Sequence, residues 1–200
     1  MSPLTQKGSV DFVIKCYPQT EEFPNGGQMG AYLMSKQVGD TVLMEGPIGR
    51  LTYEGNGIFK IANKEPVRKT KIGLIAGGSG ITPLLSFLDA VYRAKDPNIE
   101  CCRLLYSNKT EADILCREQL DAINADESAP NFTVAHTLTR VDADVPGMLR
   151  GRVNIEMIRS LNFPEPSEET LIFSCGPSAQ TKAIKAFLLE AGYSETMIFP

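Results

Sequence analysis

The sequence predicts an α/β protein: a parallel sheet with flanking helices, preceded by part of an antiparallel β-barrel. Three observations point there. Up to residues 63–70 the chain reads as short strands, tight turns and one brief helix, and from Lys71 onward strands and helices alternate. Alternation of that kind implies right-handed crossovers and a parallel sheet. Two glycine-bearing turns then fall where strands give way to helices, the places where open parallel sheets put their ligand crevice.

Taken in order, Val10-Asp11-Phe12-Val13-Ile14-Lys15-Cys16-Tyr17 has strand composition and partial alternation, and Pro18 with the polar stretch 19–22 ends it. Gly26-Gly27 opens a short helix with Met29, Tyr32 and Leu33 at helical spacing. Thr41-Val42-Leu43-Met44-Glu45 reads as a strand and Gly46-Pro47-Ile48-Gly49 as a turn. Leu51-Thr52-Tyr53 and Ile58-Phe59-Lys60-Ile61 are further short strands, and Asn63-Lys64-Glu65-Pro66 has linker composition. The boundary is therefore set between residues 66 and 67, with domains 1–66 and 67–200. Four strands follow, at 72–76, 102–107, 132–138 and 171–175, with helices at 84–92, 118–125, 155–161 and 179–191 and a last edge strand at 197–199.

Composition narrows the function classes. A net charge of −4 without a long basic run gives no footprint for nucleic acid. The apolar runs are too short for a membrane span, and Met1-Ser2-Pro3-Leu4-Thr5 is not a signal or transit peptide. The five cysteines form no ladder, and with His136 the only histidine no zinc site is expected. They read as free thiols in a reducing compartment. His136, on a strand, reads as structural.

Chemistry concentrates in two segments. Ala76-Gly77-Gly78-Ser79-Gly80-Ile81-Thr82-Pro83 joins the first strand of the α/β region to its first helix. Glycines let a ligand approach the backbone, Thr82 suits an N-cap and Pro83 a first turn, and the free amides of a helix start favour a pyrophosphate. It departs from the GxGxxG fingerprint, because proline stands where the third glycine would be, and a turn that merely joins strand to helix is the alternative. Phe173-Ser174-Cys175-Gly176-Pro177-Ser178-Ala179 ends the fourth strand. A cysteine there can touch a nicotinamide ring without acting as a nucleophile, since no local histidine activates it; the alternative is an inert turn cysteine.

In this order and spacing the two segments resemble the ferredoxin–NADP reductase superfamily, and more closely its cytochrome b5 reductase branch, shared with the flavin domain of nitrate reductase. The resemblance extends over nearly the whole chain. It also rests on Val13-Ile14-Lys15-Cys16-Tyr17, Gly26-Gly27-Gln28-Met29, Val38-Gly39-Asp40-Thr41, Glu45-Gly46-Pro47-Ile48-Gly49 and Asn108-Lys109-Thr110-Glu111-Ala112-Asp113-Ile114-Leu115. It implies a Rossmann-like NAD(P)-binding domain after a partial FAD-binding barrel. By the same resemblance, Ile14, Lys15 and Tyr17 lie along FAD, and Gly27, Gln28, Met29 and Gly30 hold its pyrophosphate. Gln28 replaces a frequent lysine and Gly30 a frequent serine, which weakens the grip but leaves the backbone donors. Thr82 contacts the flavin ring; Gly77, Gly78, Ser79, Gly80, Cys175, Gly176 and Pro177 line the NAD(P)H pocket; Thr82 and Cys175 stand nearest the reacting rings.

Thr139 stands where the family usually has an acidic residue that favours NADH, and Arg152 where an aromatic residue is common, which implies that NADPH is accepted. The alternative for Arg140, Arg150 and Arg152 is solvated surface charge. The implied activity is an oxidoreductase passing reducing equivalents from NAD(P)H through FAD to a one-electron haem-protein acceptor such as cytochrome b5. The rivals are the reductase portion of a nitrate reductase-like enzyme and a nucleotide-binding protein without redox turnover. The family's flavin domain begins ahead of Met1, with the tyrosine of its Arg-x-Tyr-Ser/Thr motif at the position of Met1, so weak FAD retention is expected. A C-terminal aromatic residue beyond Pro200 and a membrane tether ahead of the chain, on the cytoplasmic side, belong to the same expectation.

Overall fold

The computed structural model describes residues 6–21, 24–46, 49–61 and 64–199. The chain divides into two compact units, Met1–Arg50 and Leu51–Pro200.

In the first unit the short helix is present as α1, Gln28–Met34, with Gly27 as N-cap. The Gly27 N–H donates to the Tyr17 carbonyl at 2.9 Å, and Gly30 is buried where an added Cβ would lie 3.2 Å from Cys16 Cα. These contacts lay the 15–17 segment across the start of the helix. The strands expected at 10–17 and 41–45 are not formed: the described residues there carry no ladder. Strand propensity measures fit to a paired, half-buried surface. Without a partner strand, Val10, Phe12 and Ile14 stay 58%, 56% and 45% exposed. The expected turn at 46–49 falls partly on Pro47 and Ile48, outside the described residues, as do Glu22, Asn63, Pro200 and the first five residues.

The second unit opens with the hairpin β1, Leu51–Gly55, and β2, Ile58–Ile61, joined by Asn56-Gly57. Both turn residues have positive φ, 54° and 70°, the left-handed pair that a two-residue hairpin turn requires. Strand β3, Val67–Arg68, adds antiparallel to β2 and closes a three-stranded sheet. The large sheet then builds from β4 (Lys71–Gly77), α2 (Ile81–Ala94), β5 (Cys101–Asn108), α3 (Arg117–Asn124) and β6 (Phe132–Leu138). It continues with β7 (Leu149–Arg150), α4 (Ile155–Ser160), β8 (Thr170–Cys175), α5 (Ser178–Glu190) and β9 (Ile198–Phe199). All six strands are parallel, in the order β7-β6-β5-β4-β8-β9.

Strand β4 sits inside the sheet, and its Ile72, Leu74, Ile75 and Ala76 are wholly buried. A parallel strand covered on both faces reads as a continuous apolar run, which is why 72–76 lacks alternation. On one face Ile75, Leu105 and Ile172 pack against Met157 and Ile158 of α4 and Ile184 and Leu188 of α5. Helix α2 buries Ile81, Leu84, Leu85, Leu88 and Val91, one stripe at helical spacing. Each such side chain contributes about 1.5–3 kcal/mol on leaving water. Among the described residues no helix is long and apolar enough to cross a membrane.

Candidate functional site

The carboxyl ends of β4 and β8 lie side by side, with Ala76 in register with Cys175. Past those partners the two glycine-bearing turns touch. An added Cβ on Gly80 would fall on the Cys175 carbonyl, and one on Gly176 would lie 3.1 Å from Gly77 Cα. A Cβ on Gly77 would strike the Gln180 side chain, whose Nε2 donates to the Ala76 carbonyl at 3.4 Å. Backbone packing thus requires glycine at 80 and leaves little room at 176, whereas at 77 the obstacle is the Gln180 side chain. Gly78 differs: its φ is +53° and a Cβ there would meet nothing within 4 Å. One side of the turn is therefore closed against β8 and the other is open.

Gly78–Gly80 form a 3-10 turn that winds directly into α2. That moves the helix start forward and corrects the expected N-cap: Gly80 caps α2, and Thr82 lies inside the first turn, its hydroxyl donating to the Ser79 carbonyl at 3.0 Å. Pro83 follows within the same turn, where an intrahelical N–H bond is not yet available to lose. Beneath the turn, the wholly buried Tyr106 of β5 donates its hydroxyl to the Gly78 carbonyl at 2.9 Å.

Pro177 is the exposed N-cap residue of α5, and no side chain caps that helix. Cys175 is half-buried; burial pushes its thiol up, against an opposing hydrogen bond from the Gly176 N–H. It is therefore held as a thiol rather than a thiolate. His136 lies on β6, buried, with Nε2 3.4 Å from Asp121 Oδ1. Burial outweighs Asp121 and holds the imidazole below its ordinary range.

Along the same rim, Thr139 follows β6, and both its N–H and its hydroxyl donate to the Asn108 carbonyl, at 2.9 and 3.2 Å. Arg152 follows Gly151, which is tied to Leu138 and Thr137 of β6 at 2.8 Å each. Arg140, Arg150 and Arg152 are all exposed. Arg150 pairs with Asp144 at 3.5 Å, whereas Arg152 has no ion pair among the described residues. In the first unit Lys15 Nζ stands 5.9 Å from the Tyr17 ring centroid, and Gln28, Met29 and Ile14 are exposed. Tyr106 and Gln180 do not stand out in the sequence as site residues. A tyrosine inside an otherwise apolar parallel strand was the available sign, because its buried hydroxyl needs a partner; Gln180, in the first turn of a helix, gave none.

Residues 74–186 match the family model described as an oxidoreductase NAD-binding domain, and residues 1–53 the one described as an oxidoreductase FAD-binding domain. NADH-cytochrome b5 reductase 2 of Mus musculus is 39% identical over 202 residues, covering 96% of this chain and 71% of that protein. This chain belongs to the NADH-cytochrome b5 reductase family. NADH-cytochrome b5 reductase 3 of Rattus norvegicus is 44% identical over 179 residues, 86% of this family member, which spans only 58% of the rat protein's length. Among solved structures, the cytochrome b5 reductase domain of Ulva prolifera nitrate reductase superposes with a TM-score of 0.82 at 30% identity, covering 92% of this chain and 70% of that one. The two matched domains name FAD and a nicotinamide nucleotide as their cofactors.

Proposed function

We propose that the protein passes reducing equivalents from NAD(P)H through FAD to a one-electron acceptor such as cytochrome b5. The observation that carries this reading is the pair of turns at the ends of β4 and β8, closed against each other at Gly77, Gly80 and Gly176 and open at Gly78. An extended dinucleotide needs such a cradle: backbone amides without side chains in the way, at the start of a helix whose positive end favours phosphates. Residues 67–200 are assigned the nicotinamide nucleotide and residues 1–66 the flavin.

In this reading Gly77, Gly78, Ser79 and Gly80 hold the nucleotide phosphates through their backbone, and Cys175, Gly176 and Pro177 flank the nicotinamide. Cys175, kept protonated by burial, orients the ring by contact. Thr82 faces the flavin ring with its hydroxyl already oriented by Ser79. Lys15, Tyr17 and Ile14 lie along the flavin, and Gly27, Gln28, Met29 and Gly30 hold its pyrophosphate, with Gly27 leaving the first amides of α1 without a side-chain cap. FAD, when bound, supplies the two-electron to one-electron conversion that no side chain provides. Thr139 and Arg152, which has no ion pair among the described residues, favour acceptance of NADPH beside NADH, since Thr139 brings no negative charge to a 2′-phosphate and Arg152 offers a cation. The five free cysteines support a reducing, cytoplasm-facing setting.

A second reading, the reductase portion of a nitrate reductase-like enzyme, is favoured by the Ulva prolifera match. The nucleotide site is common to both. Titration of the full chain with NADH and with NADPH tests it: both bind, and Arg152→Ala weakens NADPH about tenfold while leaving NADH within twofold. Failure of both coenzymes to bind refutes the site. A strong NADH preference unchanged by the substitution refutes only the coenzyme assignment. Ferricyanide and cytochrome reduction with added FAD separates a reductase from a binding protein without turnover.

A further inference from the structure

We infer that Tyr106 is a positioning residue for the nucleotide: its hydroxyl fixes the direction of the Gly78–Ser79 peptide, and with it the face that the glycine turn presents to phosphate. The inference rests on the nucleotide site proposed above.

Tyr106 lies on β5 in register with Ala76, two residues before Gly78, and is wholly buried. Its hydroxyl donates to the Gly78 carbonyl at 2.9 Å and accepts the Leu115 N–H at 3.3 Å. With one donor bond and one acceptor bond made, the rotor has a single setting. Leu115 closes the segment begun by Thr110, whose N–H and hydroxyl both donate to Asp113 Oδ2, at 3.1 and 2.8 Å. The hydroxyl therefore connects the turn after β4 to a second, independently braced turn after β5.

Among the glycines of the loop, Gly78 alone combines a positive φ with open space where a Cβ would be. Glycine accepts either sign of φ, so local sequence does not decide which way its peptide faces. The direction matters electrostatically. A trans peptide sets C=O and N–H on opposite sides, so a carbonyl turned down onto Tyr106 is a carbonyl turned away from an arriving pyrophosphate. Released, the same oxygen is free to present its lone pairs to an anion. The Ile81 N–H also reaches the Gly78 carbonyl, but it belongs to the same turn and moves with it. Tyr106 is the anchor from the sheet.

Tyr106→Phe removes the hydroxyl and keeps the ring. In the full chain the expected result is a three- to tenfold rise, in rough terms, in the Kd for NADH and for NADPH alike. Amide hydrogen exchange should accelerate at residues 79–81 of the nucleotide-free protein, while the β4 amides, those of α2 beyond its first turn and the urea midpoint change little. Replacement by 4-aminophenylalanine, which restores a donor at the same place, should return affinity to within about twofold of the parent. A purely structural role would lower the urea midpoint and loosen the whole of β5 without a selective change at 79–81. Unchanged affinity in Tyr106→Phe, with the parent binding, overturns the inference and leaves the nucleotide site intact. A parent that binds neither coenzyme removes both. Should the phenylalanine variant not fold, the 4-aminophenylalanine protein carries the test: parental affinity supports the role, and lost affinity in a folded protein overturns it.

Discussion

Val10, Phe12 and Ile14 in the first unit and Ile72, Leu74 and Ala76 in the second have the same two-residue spacing and are all apolar. The first three are 58%, 56% and 45% exposed, and the second three are wholly buried. The difference lies in the neighbours, not in the spacing. Strand β4 has β5 on one side and β8 on the other, and helices on its faces. The 10–14 segment has no ladder among the described residues. Spacing decides which side chains share a face; only a partner surface decides whether that face is buried.

The sharpest way to break this comparison is Leu74→Ala. Deleting a wholly buried side chain from a central strand should lower unfolding free energy by about 3 kcal/mol, within the usual spread of 2–5. Urea unfolding followed by far-ultraviolet circular dichroism measures it; a loss under about 1 kcal/mol would mean the sheet core repacks freely. A smaller effect comes from His136. Its imidazole is held below the ordinary range, first by burial and against Asp121, so the unfolded chain binds the extra proton. Its contribution is complete above the ordinary imidazole range and declines as pH falls through it. Unfolding free energies from urea titrations at about pH 7.5 to 5.5 should fall with a slope of at most about 1.4 kcal/mol per pH unit from this group, and His136→Gln should flatten that component. The least effect belongs to Phe12→Ser, expected within about 0.5 kcal/mol because the ring is already more than half exposed. A loss near that of Leu74→Ala would show that the first unit carries a buried face of its own.

The same contrast explains what the sequence could reveal. Strand β6 is found at 132–138 as expected, because a compact strand bounded by turns is specified locally. Strands β3 and β7, two residues each, escaped notice because their pairing with β2 and β6 is all that defines them. The strands expected at 10–17 and 41–45 erred in the opposite direction, since propensity alone suggested a ladder that the described residues do not make. Of the candidate site, both glycine-bearing turns were legible as segments. That they touch follows from β4 and β8 being neighbours, which chain order does not reveal. The helix start at Ile81 rather than beyond Thr82 was hidden by the 3-10 turn ahead of it.

The adjacency of β4 and β8 also has a consequence in time. Ala76 and Cys175 are in register although almost a hundred residues of chain separate them, and closing so long a loop slows the step that brings them together. During synthesis the glycine turn emerges early and waits, with its closing wall still unmade, until β8 has left the ribosome. A dinucleotide that needs both walls can reward only the finished sheet, so its presence would favour completed molecules over those arrested before the last crossover.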